Sequence, residues 1–324
     1  MLQVESTQVG AAPTARVRER PLGVEHKQPT LRTQTKPGFA IVVACYNEQE
    51  AVLETIAELR ASLRTAGPYE LIIVNDGSSD GTGELLTRAA ATDPLLKVVH
   101  HRRNRGYGAS LKSGIRQATA PLIVITDADG TYPNHRIPEL LALAAENDMV
   151  VGARTSDDVV YPLLRRIPKA FLRLYTSWIA GQPIPDFKSG LRVFRRDLAE
   201  KFMHILPDGF SFTTTITLAM LTTHRRVQFV PISYAPRIGK SKIRPIRDTL
   251  LFVQLIARTG MYFAPLRVFF PIGLALFATF LVSLAYDVIV LRNLTEKTLM
   301  LLLFAVNTAM FALLADMIDK RTAN

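Results

Sequence analysis

Two long apolar stretches near the end of the chain constrain its fold more than any other feature. Val268 to Val290 runs 23 residues with one acid, Asp287, near its end, and Thr298 to Ile318 runs 21 residues with Asp316 as its only charge. As a helix, each can cross a hydrocarbon layer of roughly 30 Å. The connection from Leu291 to Lys297 is too short for a domain. The pair therefore predicts a transmembrane hairpin over 266–318, with a short tail at 319–324. Two helices buried in a soluble core are the alternative. Arg258, Arg267, Lys320 and Arg321 flank the outer ends, while Arg292 and Lys297 sit in the loop. That bias favours the rest of the chain on the cytosolic face. Asn293-Leu294-Thr295 matches a glycosylation acceptor, but so short a loop would press it against the membrane.

Ahead of the hairpin the pattern is different. Apolar runs at Phe39–Ala44, Leu71–Val74, Lys97–His100 and Leu122–Ile125 alternate with amphipathic stretches. Val52, Ile56, Leu59 and Leu63 recur at helical spacing, and Gly106 to Ala118 reads as a further helix. Strands alternating with helices predict an α/β fold, a mostly parallel sheet covered on both faces. Ligands of such sheets bind beyond the carboxyl ends of the strands. Asn47-Glu48, Asp76 and Asp127-Ala128-Asp129 all fall at those ends.

The net charge of +11 comes from 39 basic and 28 acidic residues, and two short segments hold much of the excess. Leu163 to Arg173 carries Arg165, Arg166, Lys169 and Arg173 with no acid; Arg237 to Arg247 carries Arg237, Lys240, Lys242, Arg244 and Arg247, again with none. Both lie among apolar residues near the apolar end of the chain, which favours anionic lipid or a diphosphate over nucleic acid. No nucleic-acid-binding module appears. Ile246 to Phe263 has the pattern of a helix lying on a membrane surface, within a juxtamembrane segment over 243–265. Met1 to Lys36 is polar, contains proline and lacks the apolar run of a signal peptide, so 1–36 predicts a flexible tail. The single cysteine, Cys45, excludes a disulfide within the chain and suits a reducing compartment.

Asp127-Ala128-Asp129 is the sharpest local signal. Two carboxylates one residue apart at a strand end can share a hard divalent ion, Mg2+ or Mn2+, that a diphosphate also binds. Such an ion would act as Lewis acid and template for a departing nucleotide. A turn or cap is the bland use of the same residues.

Val42-Val43-Ala44-Cys45-Tyr46-Asn47-Glu48, Val74-Asn75-Asp76-Gly77-Ser78-Ser79-Asp80-Gly81-Thr82 and the Asp127/Asp129 pair resemble the successive signatures of family-2 glycosyltransferases with the GT-A fold. Lys188-Ser189-Gly190-Leu191-Arg192-Val193-Phe194-Arg195 and Pro236-Arg237-Ile238-Gly239-Lys240-Ser241-Lys242-Ile243 resemble the dolichyl- and polyprenyl-phosphate mannosyl- and glucosyltransferase branch. The likeness covers roughly Phe39 to Ile246 and implies a GT-A domain over 37–242. By position, it implies that Tyr46, Glu48, Asp76, Asp127 and Ala128 line the nucleotide-sugar pocket. Asp127 and Asp129 would hold the metal and act in catalysis. Arg237 and Lys242, with Lys240 beside them, would bind the donor diphosphate through charge-assisted contacts. Arg154 and Arg192 would bind the acceptor phosphate, with Arg192 also catalytic. Two departures stand out. Ala44 takes a place where relatives often have proline, and Thr131 one where they often have glutamine, so Thr131 is not assigned to the metal. Asp186 either orients the acceptor or is a structural loop acid.

The resemblance implies a metal-dependent, inverting transfer of a hexose from a GDP-mannose- or UDP-glucose-type donor to dolichyl or undecaprenyl phosphate. A lipid phosphate carries about −1.5 to −2 charges at neutral pH and needs little help from a base. Its site must instead overcome repulsion between two phosphate-bearing substrates. Alternatives are a soluble glycan or protein acceptor, a processive synthase, and a catalytically silent membrane adaptor. The synthase signature Gln-x-x-Arg-Trp is absent, since Gln254 and Arg258 are wrongly spaced and the only tryptophan is Trp178. The partners implied are a nucleotide-sugar, a polyprenyl phosphate and a membrane, with no nucleic acid. A homo-oligomer is compatible with the sequence.

Overall fold

The computed structural model describes residues 36–155, 174, 176–235, 260–262 and 264–322. Strands β1 (Phe39–Cys45), β2 (Tyr69–Asn75), β3 (Leu96–His100) and β4 (Leu122–Asp127) pair in parallel. They contain the four expected runs and extend each of them by one to three residues. Runs without polar alternation must be buried on both faces. Accordingly, Ile41 and Val43 of β1 face a core shared with α1 (Val52–Ser62) and α2 (Thr82–Thr92). Ala40 and Val42 face another shared with α3 (Tyr107–Gln117).

Three more strands widen the sheet, giving the order β3-β2-β1-β4-β6-β5-β7. β5 (Met149–Ala153) and β7 (Val227–Pro231) pair in parallel. β6 (Arg192–Arg195) runs antiparallel between β4 and β5. The sheet is thus mostly parallel with one reversed strand. Helix α4 (Ile137–Leu143) joins the first core, and α5 (Arg196–Phe202) and α6 (Phe212–Thr222) join the second. At the amino-end side of the sheet, the half-exposed Lys97 and the amides of Thr119 and Ala120 all donate to the buried Glu70, tying the α3–β4 turn to β2. Burial raises the Glu70 carboxyl pKa, but these donors more than offset it and hold the group below its usual range.

Helices α7 (Pro265–Tyr286) and α8 (Glu296–Thr322) form the expected hairpin, and both are long and apolar enough to cross a membrane. They expose most of their apolar side chains, which excludes the alternative of helices buried in a soluble core. A π-helical turn, Asp287–Leu291, ends the first of them. The buried Asp287 carboxylate accepts from the Thr295 amide (2.8 Å) and from the hydroxyls of Thr295 (2.6 Å) and Thr298 (2.7 Å). The hydroxyl of the Asn293-Leu294-Thr295 tripeptide is therefore already engaged. Trp178 donates its indole N–H to the Arg267 carbonyl (3.0 Å). The Arg267 guanidinium donates back to the carbonyls of Trp178 (3.4 Å) and Ile179 (2.7 Å). That reciprocal pair ties helical residues 176–180 of the sheet domain to the start of the hairpin. The expected surface helix over Ile246–Phe263 lies outside the described residues except at 260–262, which are helical. The tail through residue 35 lies outside them as well.

Helix α3 sits directly on β1 because Gly114 has no side chain: a Cβ there would overlap the Val42 side chain. Gly114→Ala should lower stability by about 1–3 kcal/mol through overpacking. Adding Val42→Ala should recover part of that loss, as read by thermal unfolding of the single and double variants.

Candidate active site

The loops after β1 and β2 are stitched together before any ligand arrives. Asn47, in the left-handed region at φ 52°, receives a hydrogen bond on its side-chain oxygen from the Ser79 amide (2.8 Å), and its own amide donates to Ser78 Oγ (2.9 Å). The Glu48 amide donates to Thr82 Oγ1 (3.0 Å), and the Gly81 amide donates to Gln49 Oε1 (2.9 Å). Tyr46 and Glu48 stand half-buried on this platform.

Asp76 directly follows β2. It is buried, and its Oδ1 lies 2.6 Å from His101 Nδ1 and accepts from the Arg105 amide (3.0 Å). Its Oδ2 accepts from the Gly106 amide (2.8 Å), and His101 Nε2 lies 2.9 Å from Ser113 Oγ. Asp76 thus ties down the loop that leads into α3. Gly77 is required beneath it, because its φ is +67° and a Cβ would stand 2.5 Å from the Arg103 carbonyl carbon.

Asp127 ends β4, and Asp129 is buried two residues on. Tyr107 donates its hydroxyl to Asp127 Oδ1 (2.9 Å), and Thr131 donates its own to Asp129 Oδ1 (2.7 Å). Burial, reinforced by the charge of Asp127, pushes the Tyr107 phenol well above its ordinary pKa, so it remains a donor. Burial and Asp127 also raise Tyr132, whose hydroxyl accepts from the Gly190 amide (2.6 Å). Gly190 lies against Asp127: a Cβ would stand 2.9 and 3.0 Å from its two carboxylate oxygens. Phe210, exposed, stacks on Tyr107 with ring centroids 5.7 Å apart. Among the described residues no group of three or more His, Cys, Asp or Glu could hold a metal.

The two arginines expected at an acceptor phosphate each have protein partners. Arg154 forms a two-pronged pair with Asp186, at 2.7 and 3.1 Å, and its guanidinium lies 5.1 Å over the Tyr234 ring. Asp186 also accepts from the Arg154 amide (3.1 Å) and the Lys188 amide (3.0 Å). Burial alone would raise the Asp186 carboxyl pKa, but the Arg154 pair and these amides bring it below the ordinary value. Arg192 is fully buried and donates to the carbonyls of Ser189 and Thr213 and to Thr217 Oγ1. Burial draws its pKa down to about 10, still charged at neutral pH. Both guanidiniums therefore brace the wall beside Asp127.

Arg237, Lys240 and Lys242, and the basic run Arg165, Arg166, Lys169 and Arg173, lie outside the described residues. Tyr107, Tyr132, His101 and Phe210 were not singled out from the sequence. An aromatic between glycines, as in Gly106-Tyr107-Gly108, is the one local hint any of them carries.

The family described as Glycosyl transferase family 2 matches residues 40–203, and the one described as GtrB C-terminal hairpin matches residues 264–320. The undecaprenyl-phosphate 4-deoxy-4-formamido-L-arabinose transferase of Yersinia enterocolitica is 32% identical over 241 residues, covering 72% of this chain and 70% of the relative. Glucosyl-3-phosphoglycerate synthase from Mycobacterium tuberculosis, in complex with Mn2+, uridine diphosphate and phosphoglyceric acid, superposes with a TM-score of 0.53 at 16% identity, over 69% of this chain and 78% of that one. S. aureus TarS 1–349 in complex with UDP-GlcNAc gives a TM-score of 0.50 at 17% identity, over 69% of this chain and 66% of that one. These structures share the GT-A fold with the chain.

The Arg154–Asp186 pair yields a stability prediction with a defined pH window. Arg154→Ala should cost roughly 2–3 kcal/mol, somewhat below a wholly buried pair because a quarter of the arginine side chain is exposed. Asp186 has a depressed folded pKa, so its contribution is present above the unfolded value and lost as pH falls through the folded one. The gap in unfolding temperature between wild type and Asp186→Asn should be full at pH 7 and shrink below about pH 4.

Proposed function

The chain belongs to glycosyl transferase family 2, and on that premise we propose that it moves a sugar from a nucleotide-sugar to a polyprenyl phosphate at the cytosolic face of a membrane. The observation that carries this reading is the joining of a carboxylate pair, at the carboxyl edge of a parallel sheet, to a two-helix apolar hairpin in one chain. The name of the Yersinia relative supports undecaprenyl phosphate as the acceptor class. A hexose from a GDP-mannose- or UDP-glucose-type donor is the sugar read from the sequence. The relative's own sugar adds 4-deoxy-4-formamido-L-arabinose as a second candidate.

In the proposed reaction an oxygen of the lipid phosphate attacks the anomeric carbon. The bond from that carbon to the diphosphate breaks, and its electrons leave with the nucleoside diphosphate. Direct displacement inverts the anomeric configuration and leaves a single phosphate between lipid and sugar. Tyr46, Glu48 and Ala128 contribute to the nucleotide pocket. Asp76 shapes it through the 101–106 loop, and Arg237 and Lys242 meet the diphosphate. Asp127 and Asp129 fit a hard divalent ion such as Mg2+ or Mn2+, because both offer carboxylate oxygens and each has one oxygen fixed by a hydroxyl. Asp127 and Asp129 would hold such an ion together with the donor diphosphate. When bound, the ion supplies Lewis-acid stabilisation of the leaving diphosphate. Arg154, paired with Asp186, and Arg192 position the loop of the adjacent wall, and Arg192 keeps its positive charge there.

The test is formation of organic-extractable labelled lipid by the full chain in membranes, with undecaprenyl phosphate and a panel of nucleotide-sugars. Asp129→Ala should lower the rate by at least about 10²–10³-fold, the scale of losing one preorganised electrostatic contact. Chelation should do the same, with Mg2+ or Mn2+ restoring the rate. Lipid product formed at the wild-type rate by Asp129→Ala under chelation would overturn the proposal.

A further inference from the structure

The turn from α6 to β7 carries His224-Arg225-Arg226, an exposed basic run that the proposed reaction leaves unused. These residues line a cavity of about 470 Å³ together with Asn147 and Arg267. Arg267 is the third residue of α7, so the cavity reaches the root of the hairpin. A second cavity, of about 690 Å³, shares Gly181, Gln182 and Arg267 with the first. Its remaining wall is mostly apolar, with Leu174, Trp178 and Pro183. Leu174 and Trp178 are both exposed.

The first cavity is positive and uncompensated. The Arg226 guanidinium donates to the Glu146 carbonyl (3.2 Å), and that of Arg267 to the Trp178 and Ile179 carbonyls. Among the described residues, none of Arg225, Arg226 and Arg267 forms an ion pair. The neighbouring turn holds two acids, Glu146 and Asp148, and the Asp148 carboxylate accepts from the Arg226 amide (3.0 Å). Three arginines still outnumber them. A cationic cavity and an apolar one therefore adjoin where the chain enters the membrane, with a tryptophan between headgroup and hydrocarbon character.

We infer that the two cavities together bind one anionic glycerophospholipid of the bilayer. Its phosphate would lie against Arg225, Arg226 and Arg267, which suit it through charge-assisted contacts, and part of an acyl chain beside Leu174 and Trp178. Such a lipid ties the α6–β7 turn to the membrane beside the hairpin. It is not the reacting lipid, because strand register separates the two places. Val227 pairs with Met149, Met149 with Phe194, and Phe194 with Ile123, four residues before Asp127 on β4. The carboxylates thus lie roughly 13 Å farther along the strands and three strand spacings, roughly 14 Å, across the sheet. The inference rests on the hairpin and the cavities, and not on the proposed reaction.

The experiment uses the full chain in nanodiscs of phosphatidylcholine alone or of phosphatidylcholine with phosphatidylglycerol. Lipid retained on the protein after transfer to detergent is identified by native mass spectrometry, and affinity is measured by titration with phosphatidylglycerol. Wild type should retain phosphatidylglycerol in preference to phosphatidylcholine. Arg225→Gln with Arg226→Gln should weaken its binding about tenfold or more, and lysine at both positions should restore most of the loss. Leu174→Gln should weaken long-chain phosphatidylglycerol more than its dihexanoyl form. Equal retention of the two phospholipids overturns the inference, as does a glutamine double variant, with wild-type thermal unfolding, that binds as wild type does. Inorganic phosphate that competes as well as phosphatidylglycerol overturns it too, since the site would then hold a free anion. Undecaprenyl phosphate that displaces phosphatidylglycerol, and is weakened equally by the double variant, assigns the cavities to the acceptor and sinks the inference. Absence of sugar transfer with any donor would bear on the proposed function alone.

Discussion

Four parallel strands, in the order β3-β2-β1-β4, end along one edge, and the candidate chemistry of the chain is arranged there. Burial on both faces leaves the strands no freedom to slip, because a shift of one residue would exchange the two cores that Ile41 and Val42 separately enter. The turns that leave the strands are then fixed in place. Asn47 and Ser79 close one against another, Asp76 gathers the next, and Asp127 emerges where Tyr107 can orient it. Preorganisation of this sort matters most where charge must be placed in advance of the substrates, since side chains that are already oriented need no reorganisation during the reaction.

The problem such a site has to solve is repulsion. In the proposed reaction a nucleoside diphosphate and a lipid phosphate would approach one carbon from opposite sides, next to two aspartates. In the proposed reaction the buried Arg192 would lower the electrostatic cost of that meeting. Arg192, wholly enclosed, retains its charge because carbonyls and a hydroxyl solvate it in place of water. The hairpin adds a second fixed point. The exchange of hydrogen bonds between Trp178 and Arg267 joins the sheet domain to the first apolar helix, and Gly181, at φ +74°, makes room for the guanidinium. At the other end Asp287 closes the hairpin turn with three donors from the loop and the start of α8.

The parts of this structure that are local could be read from the sequence, and the parts that depend on distant contacts could not. Strands β1 to β4 and the hairpin announce themselves through uninterrupted apolar runs of distinct length. Asp127 and Asp129 are legible because a carboxylate pair directly after such a run has few other uses. By the family resemblance Arg154 and Arg192 are acceptor-phosphate ligands, and nothing near them in the sequence shows their protein partners. Arg154 is occupied by an acid 32 residues away and Arg192 by Thr217, 25 residues away. The reversed strand β6 is hidden for the same reason, since it enters the sheet only after the chain has left β5 and returned. Asp76 could be read as important, but the partner that defines its role, His101, belongs to the next strand-end loop.

The proposed reaction turns on which bond of the donor is broken. Full-length protein supplied with undecaprenyl phosphate and its preferred nucleotide-sugar should release nucleoside diphosphate in equal amount to a lipid bearing one phosphate and one sugar, with both identified by mass spectrometry. Release of nucleoside monophosphate with a lipid diphosphate sugar would contradict it, because the chain would then be transferring a sugar phosphate and not a sugar.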